Sequence, residues 1–304
     1  MVLYYLCLLK HLITNDKVFK KCGTYFGQYK INGLRCFITA VEDNNMFHDI
    51  HLRFQSREGV YWKGLTDLEE YLLNTLPKKV LDMMIQSGAA LDGEIYLPNH
   101  TVNEINHFVK DPNCPEHKLL QFWMYDLGID NMVQIDRFEY IDGWLHNFKK
   151  HYLSKEEHLN NTNKLVVLPT TILVNDEQDA TILRDAFIDL GFEGLIMRNP
   201  NMTYQFGSRK ANVMIKYKKA TDGKFEIINI IREGPKRPDI PLLICRNDIN
   251  DATFECHLGG TLEYQKSILI LKHNYIGKYV HIEYGERSGI NQLPFHIKSV
   301  LLMG

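Results

Sequence analysis

The stretch FGQYKINGLRCF, Phe26 to Phe37, decides how the rest of the chain is read. Aromatic and β-branched residues flank Asn32-Gly33 on both sides and read as strands. Asn-Gly is a strong short-range turn signal because both residues tolerate positive φ. The expectation is a hairpin with Lys30 and Arg35 at its two shoulders, close in space. Taken alone, that is a surface hairpin carrying two solvated cations.

Composition bounds what such a hairpin can belong to. The chain has 304 residues, 45% of them hydrophobic and 24% charged, enough for two domains with their own cores. A net charge of −2 argues against a protein that coats nucleic acid by bulk charge, so any nucleic-acid site must be a local basic groove. Cys7, Cys22, Cys36, Cys114, Cys245 and Cys256 show no CxxC spacing or disulfide rhythm, which points to free thiols in a reducing compartment such as the cytoplasm. Cys114-x-x-His117 and Cys256-His257 each lack a second ligand pair and read as chance. The apolar start MVLYYLCLL is interrupted by Lys10 and His11, too short for a bilayer and without a cleavage site. It reads as a buried strand or helix of a protein with no membrane partner.

Along the chain, no repeat or low-complexity tract appears. DLEEYLLNTLPKKVLDMMIQSG (67–88) has helical spacing broken at Pro77. NDEQDATILRDAFIDLG (175–191) has an acidic first turn, apolar residues at helical spacing and a terminal glycine. AALDGEIYL, LLQFWMYDLG, KLVVLPTTIL, FEGLIMRN and VMIKYKK read as strands between and after them. Beyond KKATDGK the texture changes to short strand candidates, KFEIINII, PLLICRND, TFECHL, SILILKH and KYVHIEYG, separated by Gly, Pro, Asn and Asp. Val280, Ile282 and Tyr284 alternate with polar neighbours at the period of a half-buried strand. Residues 221–304 therefore read as a small β-barrel domain after a mixed domain over 1–220.

The hairpin gains meaning from the islands that follow it: Lys30-x-Asn-Gly-x-Arg35, Ser56-Arg57, Asp92-Gly-Glu94, FWMYD ending at Asp126, Glu193-Gly, and Lys216-Tyr-Lys218. In this order the series resembles the covalent nucleotidyltransferase superfamily of ATP-dependent DNA ligases, RNA ligases and mRNA capping enzymes, and within it the small viral or phage-type DNA ligases. Asn32 stands where many members have Asp, and both serve the turn. The resemblance implies an α+β fold: a nucleotidyltransferase (ATP-grasp-like) domain of antiparallel sheets flanked by helices, then a C-terminal OB-fold β-barrel.

It also implies roles. Lys30 is the nucleophile that takes AMP from ATP. Glu94 binds the ribose or positions the metal, Asp92 is a further metal candidate, Tyr125 stacks on the purine, Glu193 is the second acidic metal position, and Arg57 contacts phosphates. The chemistry matches these residue types. An amine with an ordinary pKa of about 10.4 must be held where its charged form is disfavoured. Arg35, Lys216, Lys218 and a divalent ion, Mg²⁺ or Mn²⁺, would supply that field and hold a triphosphate. Strand alternation puts Asp92 and Glu94 on one side, facing one pocket, and aims Lys216 and Lys218 together. Gln28 offers a donor and an acceptor to an adenine edge.

One departure stands out. The tail INQLPFHIKSVLLMG lacks the basic motif usual in the barrel domain, and Lys298 is its sole candidate. The expected activity is ATP-dependent sealing of 5′-phosphate/3′-hydroxyl nicks in duplex DNA by a monomer, in host cytoplasm if viral. An RNA ligase acting on RNA-containing nicks, a GTP-using capping enzyme and a catalytically silent nucleic-acid-binding homologue stay open on the sequence.

Overall fold

The computed structural model describes residues 19–43, 46, 49–148, 154–206, 213–218 and 221–303. The apolar start MVLYYLCLL lies outside the described residues, as does the side chain of Lys298. The chain divides after Tyr217 into two compact units.

The first unit holds strands β1 (Tyr25–Lys30), β2 (Leu34–Glu42), β3 (Ile50–Ser56), β4 (Tyr61–Trp62), β5 (Ala90–Tyr96), β6 (Gln121–Gly128), β7 (Leu165–Val167), β8 (Leu173–Val174), β9 (Gly194–Arg198) and β10 (Met214–Lys218). They form two sheets, ordered β10-β9-β1-β8 and β4-β3-β2-β5-β6-β7. Antiparallel pairing dominates, with β6 and β7 running parallel.

The expected hairpin is absent. β1 pairs with β8 and β9, while β2 pairs with β3 and β5, so Asn32-Gly33 carries the chain from one sheet to the other. Neither residue adopts positive φ. Glycine is required at 33 for another reason, since a Cβ there would lie 2.5 Å from the Ile95 carbonyl oxygen of β5. The turn preference of Asn-Gly is local, and it yields to burial on both sides: Tyr25 and Tyr29 enter the core from β1, Cys36 and Ile38 from β2.

Helices α1 (Phe19–Cys22), α2 (Thr66–Thr75), α3 (Lys78–Ser87), α4 (Val102–Lys110), α5 (Gln134–Leu145), α6 (Lys155–Leu159) and α7 (Glu177–Asp189) flank the sheets. Pro77 separates α2 from α3 as the sequence predicts, because it has no N–H to continue the first helix. Asp176 caps α7 by accepting from the Asp179 amide at 2.8 Å. Between α4 and its loop, Thr101 and Glu104 form a reciprocal capping box.

The second unit is one antiparallel sheet, β13-β12-β11-β14-β15, made of β11 (Thr221–Arg232), β12 (Pro241–Arg246), β13 (Thr253–His257), β14 (Tyr279–Ser288) and β15 (Leu293–Leu302). Edge strands β13 and β15 come within 8 Å between Cα atoms, so the sheet curls toward closure, although no ladder joins them among the described residues. Val280, Ile282 and Tyr284 point inward from β14, as their alternation predicts. The strand expected at SILILKH is instead α8 (Leu262–Ile270), capped by Thr261, whose hydroxyl accepts from the Tyr264 amide. Ile268 is buried and Ile270 is 78% exposed, the opposite of what residues two apart in a strand would do. No helix among the described residues is long and apolar enough to cross a membrane.

Candidate active site

Lys30 ends β1 directly opposite Gly194, the first residue of β9. The Glu193 amide donates to the Lys30 carbonyl at 2.9 Å, so the two backbones deliver both side chains to one place. Lys30 Nζ donates to the Glu193 carboxylate, and the lysine side chain is only 14% exposed. The pair lines a cavity of about 370 Å³, a size typical of small-molecule sites. The lysine thus faces a cleft shared with these side chains and is itself largely shielded from bulk water.

From the second sheet, Arg35 on β2 and Glu94 on β5 stand directly opposite each other and line the same cavity. Burial pushes the Glu94 carboxyl up to about 8, with the cations Lys30 and Arg35 pulling it down and the carboxylates Asp92 and Glu193 pushing it further up. Asp92 behaves differently from the expectation. It is fully buried, receives Arg35 Nε and Nη2 at 3.1 Å each, accepts from the Tyr204 hydroxyl at 2.7 Å, and does not line the cavity. Its carboxylate is committed to holding Arg35; burial pulls the guanidinium down, but Asp92, Tyr125 and Tyr204 together hold it above its ordinary range.

A β-bulge shapes the cavity wall. Asp92 pairs with Asp126 and Gly93 with Met124, which leaves Tyr125 as the extra residue of β6. Bulges re-aim side chains, and here Met124 and Asp126 are buried while Tyr125 is half-buried and lines the cavity. Gly93 permits the close strand approach, since a Cβ would sit 2.5 Å from the Trp123 carbonyl oxygen.

Gln28 lines the cavity too, yet its amide is occupied. Nε2 donates to the carbonyls of Tyr125 and Pro169 at 3.0 Å each, and Oε1 accepts from Arg198 Nε at 2.6 Å. Both of its donors are therefore spent on the protein, and an adenine edge would find no N–H to read there. Lys216 lines the cavity from β10 and is exposed, whereas Lys218, last in that strand, is not among the lining residues. Arg57 lines it as well, 72% exposed and paired with its neighbour Glu58, in the turn that joins β3 to β4.

Arg198 and Arg137, which the sequence did not single out, and Asp126, which it gave no role beyond closing FWMYD, support this wall. Arg198 on β9 lines the cavity, and Asp126 and Arg137 lie buried behind it. Asp126 accepts from Arg137 Nε at 2.9 Å and Nη2 at 3.1 Å, and from Arg198 Nη1 at 3.2 Å. The available signal was the aspartate closing FWMYD, because an acid in so apolar a run needs a buried cation.

Glu58, Glu94 and Glu193 line the cavity; Glu58 is 63% exposed and paired with Arg57, which leaves Glu94 and Glu193 as the carboxylates beside Lys30 and Arg35. A divalent ion suits them, since burial and neighbouring acids hold Glu94 in a state that added positive charge would relieve. No group of three or more metal-ligating side chains exists among the described residues.

A two-sheet domain with a lysine at the end of an inner strand, followed by a five-stranded antiparallel unit, is the architecture of a covalent nucleotidyltransferase with an OB-fold appended. The chain belongs to the ATP dependent DNA ligase domain family, whose model matches residues 8–218. It is 26% identical over 306 residues to the DNA ligase of African swine fever virus (isolate Pig/Kenya/KEN-50/1950), covering 96% of this chain and 67% of the relative. Among solved structures, Pmar-Lig_PreS3 superposes with a TM-score of 0.63 at 14% identity, covering 94% of this chain and 64% of that one. A minimal Lig E DNA ligase gives 0.59 at 12% identity, with 97% and 100% covered. The bacteriophage T7 ATP-dependent DNA ligase in complex with ATP gives 0.50 at 14%, with 94% of each chain covered. This chain thus spans about two thirds of the length of the viral ligase and of Pmar-Lig_PreS3.

Proposed function

We propose that the protein seals 5′-phosphate/3′-hydroxyl nicks in duplex DNA through a lysyl-AMP intermediate on Lys30. The observation that carries this is Lys30 held inside a cavity against Glu193, with Arg35, Glu94, Tyr125 and Lys216 on the surrounding walls. Its family and the ATP complex of the T7 ligase both favour ATP as the nucleotide. Residues 1–220 would form the adenylyltransferase domain and 221–304 the OB-fold domain, which would read the backbone of the duplex by shape and charge.

In the first step the Lys30 amine attacks the α-phosphorus of ATP. The N–P bond forms, the bond to the bridging oxygen breaks, and pyrophosphate leaves. Arg35, Arg57 and Lys216, which line the cavity, neutralise charge gathering on phosphate oxygens. Glu193, already bonded to the amine, is placed to take its proton. Mg²⁺ or Mn²⁺ at Glu94 and Glu193 would add positive charge beside the phosphates; Asp92 contributes through Arg35. Tyr125 offers its ring to the purine. AMP then passes to the 5′-phosphate of the nick, and the 3′-hydroxyl displaces it. A monomer working in the cytoplasm of a host cell suits the viral relative.

The test uses ATP labelled at the α-phosphate, with Mg²⁺, followed by denaturing electrophoresis. Wild type is expected to carry the label and Lys30→Ala to carry none; a band of full strength in the variant refutes the mechanism. A chase with nicked DNA and with nicked RNA duplexes then identifies the strand that accepts AMP.

A further inference from the structure

The wall behind Tyr125 holds a group whose arrangement calls for a role of its own. Arg198 places its guanidinium carbon over the Tyr125 ring, 4.9 Å from the centroid. Two anchors hold it there: Nη1 donates to Asp126 at 3.2 Å and Nε to Gln28 at 2.6 Å. Gln28 in turn donates to the Tyr125 carbonyl at 3.0 Å, so ring and backbone of the same tyrosine are held from one side. Asp126 is fixed independently by Arg137, and both are fully buried.

Tyr125 is held in place on this side of the wall by the same group. As the extra residue of a bulge it is aimed differently from its buried neighbours Met124 and Asp126, and its ring meets Arg198 in the cavity wall. A guanidinium is flat, always charged and able to lie on a ring while its edge makes directed hydrogen bonds, which an ammonium cannot do. From this we infer that Arg198 is a positioning residue for nucleotide binding: it fixes the tilt of Tyr125 so that the ring forms a rigid shelf for the base. The inference rests on the reading of Tyr125 as the stacking residue and deepens it. Gln28 thereby becomes the brace between Arg198 and the tyrosine backbone rather than a reader of the adenine edge.

The test measures single-turnover labelling across ATP concentrations for wild type, Arg198→Met, Arg198→Lys, Tyr125→Leu and the double variant Tyr125→Leu/Arg198→Met. Arg198→Met is expected to raise the half-saturating ATP concentration by about tenfold, within the span that cation–π contacts support, while the limiting rate changes by less than about threefold. Arg198→Lys restores a cation opposite Asp126 and is expected to recover thermal stability but not ATP affinity. In the Tyr125→Leu background, Arg198→Met is expected to add no further loss. Ribose 5-triphosphate, which has no base to stack, is expected to compete equally well against wild type and Arg198→Met.

Unchanged half-saturation in Arg198→Met, an equal loss in the Tyr125→Leu background, or an equal loss of ribose triphosphate binding would each overturn the inference. If Arg198→Met lacks a cooperative melt, Arg198→Lys carries the same comparison. Wild type that takes no label from ATP overturns the parent reading and this one together, whereas labelled wild type with an indifferent Arg198→Met overturns this one alone.

Discussion

Asp126→Asn is a direct test of how the cavity wall is held. The carboxylate accepts from the Leu127 amide at 2.8 Å, Gln134 Nε2 at 3.0 Å, Arg137 Nε at 2.9 Å and Nη2 at 3.1 Å, and Arg198 Nη1 at 3.2 Å. The side chains of Asp126 and Arg137 are 1% exposed and that of Arg198 4%, so water cannot replace what is lost. An asparagine would point an NH₂ at one set of these donors and leave two buried guanidinium groups without their counter-charge. Breaking a buried ion pair from one side costs about 3–5 kcal/mol. For a domain of this size each kcal/mol moves the midpoint by roughly 2–4 °C, so the melt of the first unit is expected to fall by about 6–20 °C. Circular dichroism or calorimetry reads this directly. A double-mutant cycle separates pair from background: Arg137→Gln alone should also destabilise, and Asp126→Asn/Arg137→Gln should lose about 1–3 kcal/mol less than the sum of the singles. A midpoint within about 2 °C of wild type for Asp126→Asn, or strict additivity in the cycle, would refute the reasoning.

Three further outcomes can be measured. Because the native Glu94 carboxyl keeps its proton to about 8 while the unfolded chain releases it near the ordinary 4.5, the native state binds more protons between those values, and stability should decline as pH rises through that window. In EDTA, thermal midpoints from pH 5 to 9 should show this slope in wild type and a flatter one in Glu94→Gln; parallel slopes would contradict it. His158, buried against Phe192 with contacts to the Tyr96 hydroxyl at 2.9 Å and the Leu190 carbonyl at 2.9 Å, is pushed below its ordinary 6.5 by burial. Here the unfolded state binds more protons, so the contribution is complete above pH 6.5 and fades as pH falls, a loss that His158→Gln should not share in melts at pH 7.5 and 5.5. Gly33→Ala sets a Cβ 2.5 Å from the Ile95 carbonyl oxygen, a backbone atom that cannot swing aside; it should destabilise by about 1–3 kcal/mol, and an unshifted urea midpoint would show that the crossover has slack.

These tests also show where sequence and structure part company. Lys30 and Glu193 were legible because each sits in a short motif, and the structure adds only that antiparallel pairing of β1 with β9 joins them. The expected hairpin fails because Asn-Gly reports a local preference, while β1 is drawn to β9 and β2 to β5, pairings that join residues more than fifty positions apart and that the turn cannot report. Alternation placed Asp92 and Glu94 on one side correctly as geometry, yet it carries no information on competition. Arg35 and Tyr204 reach Asp92 from other elements and take it out of the cavity. The same blindness hid Arg198. Its place depends on a bulge that re-aims Tyr125 and on an aspartate carried by the other sheet, neither of which has a period or a spacing. A nucleophile must appear in the chain as itself. The groups that aim its surroundings can come from any element that packs nearby, so they become visible only once the sheets are assembled.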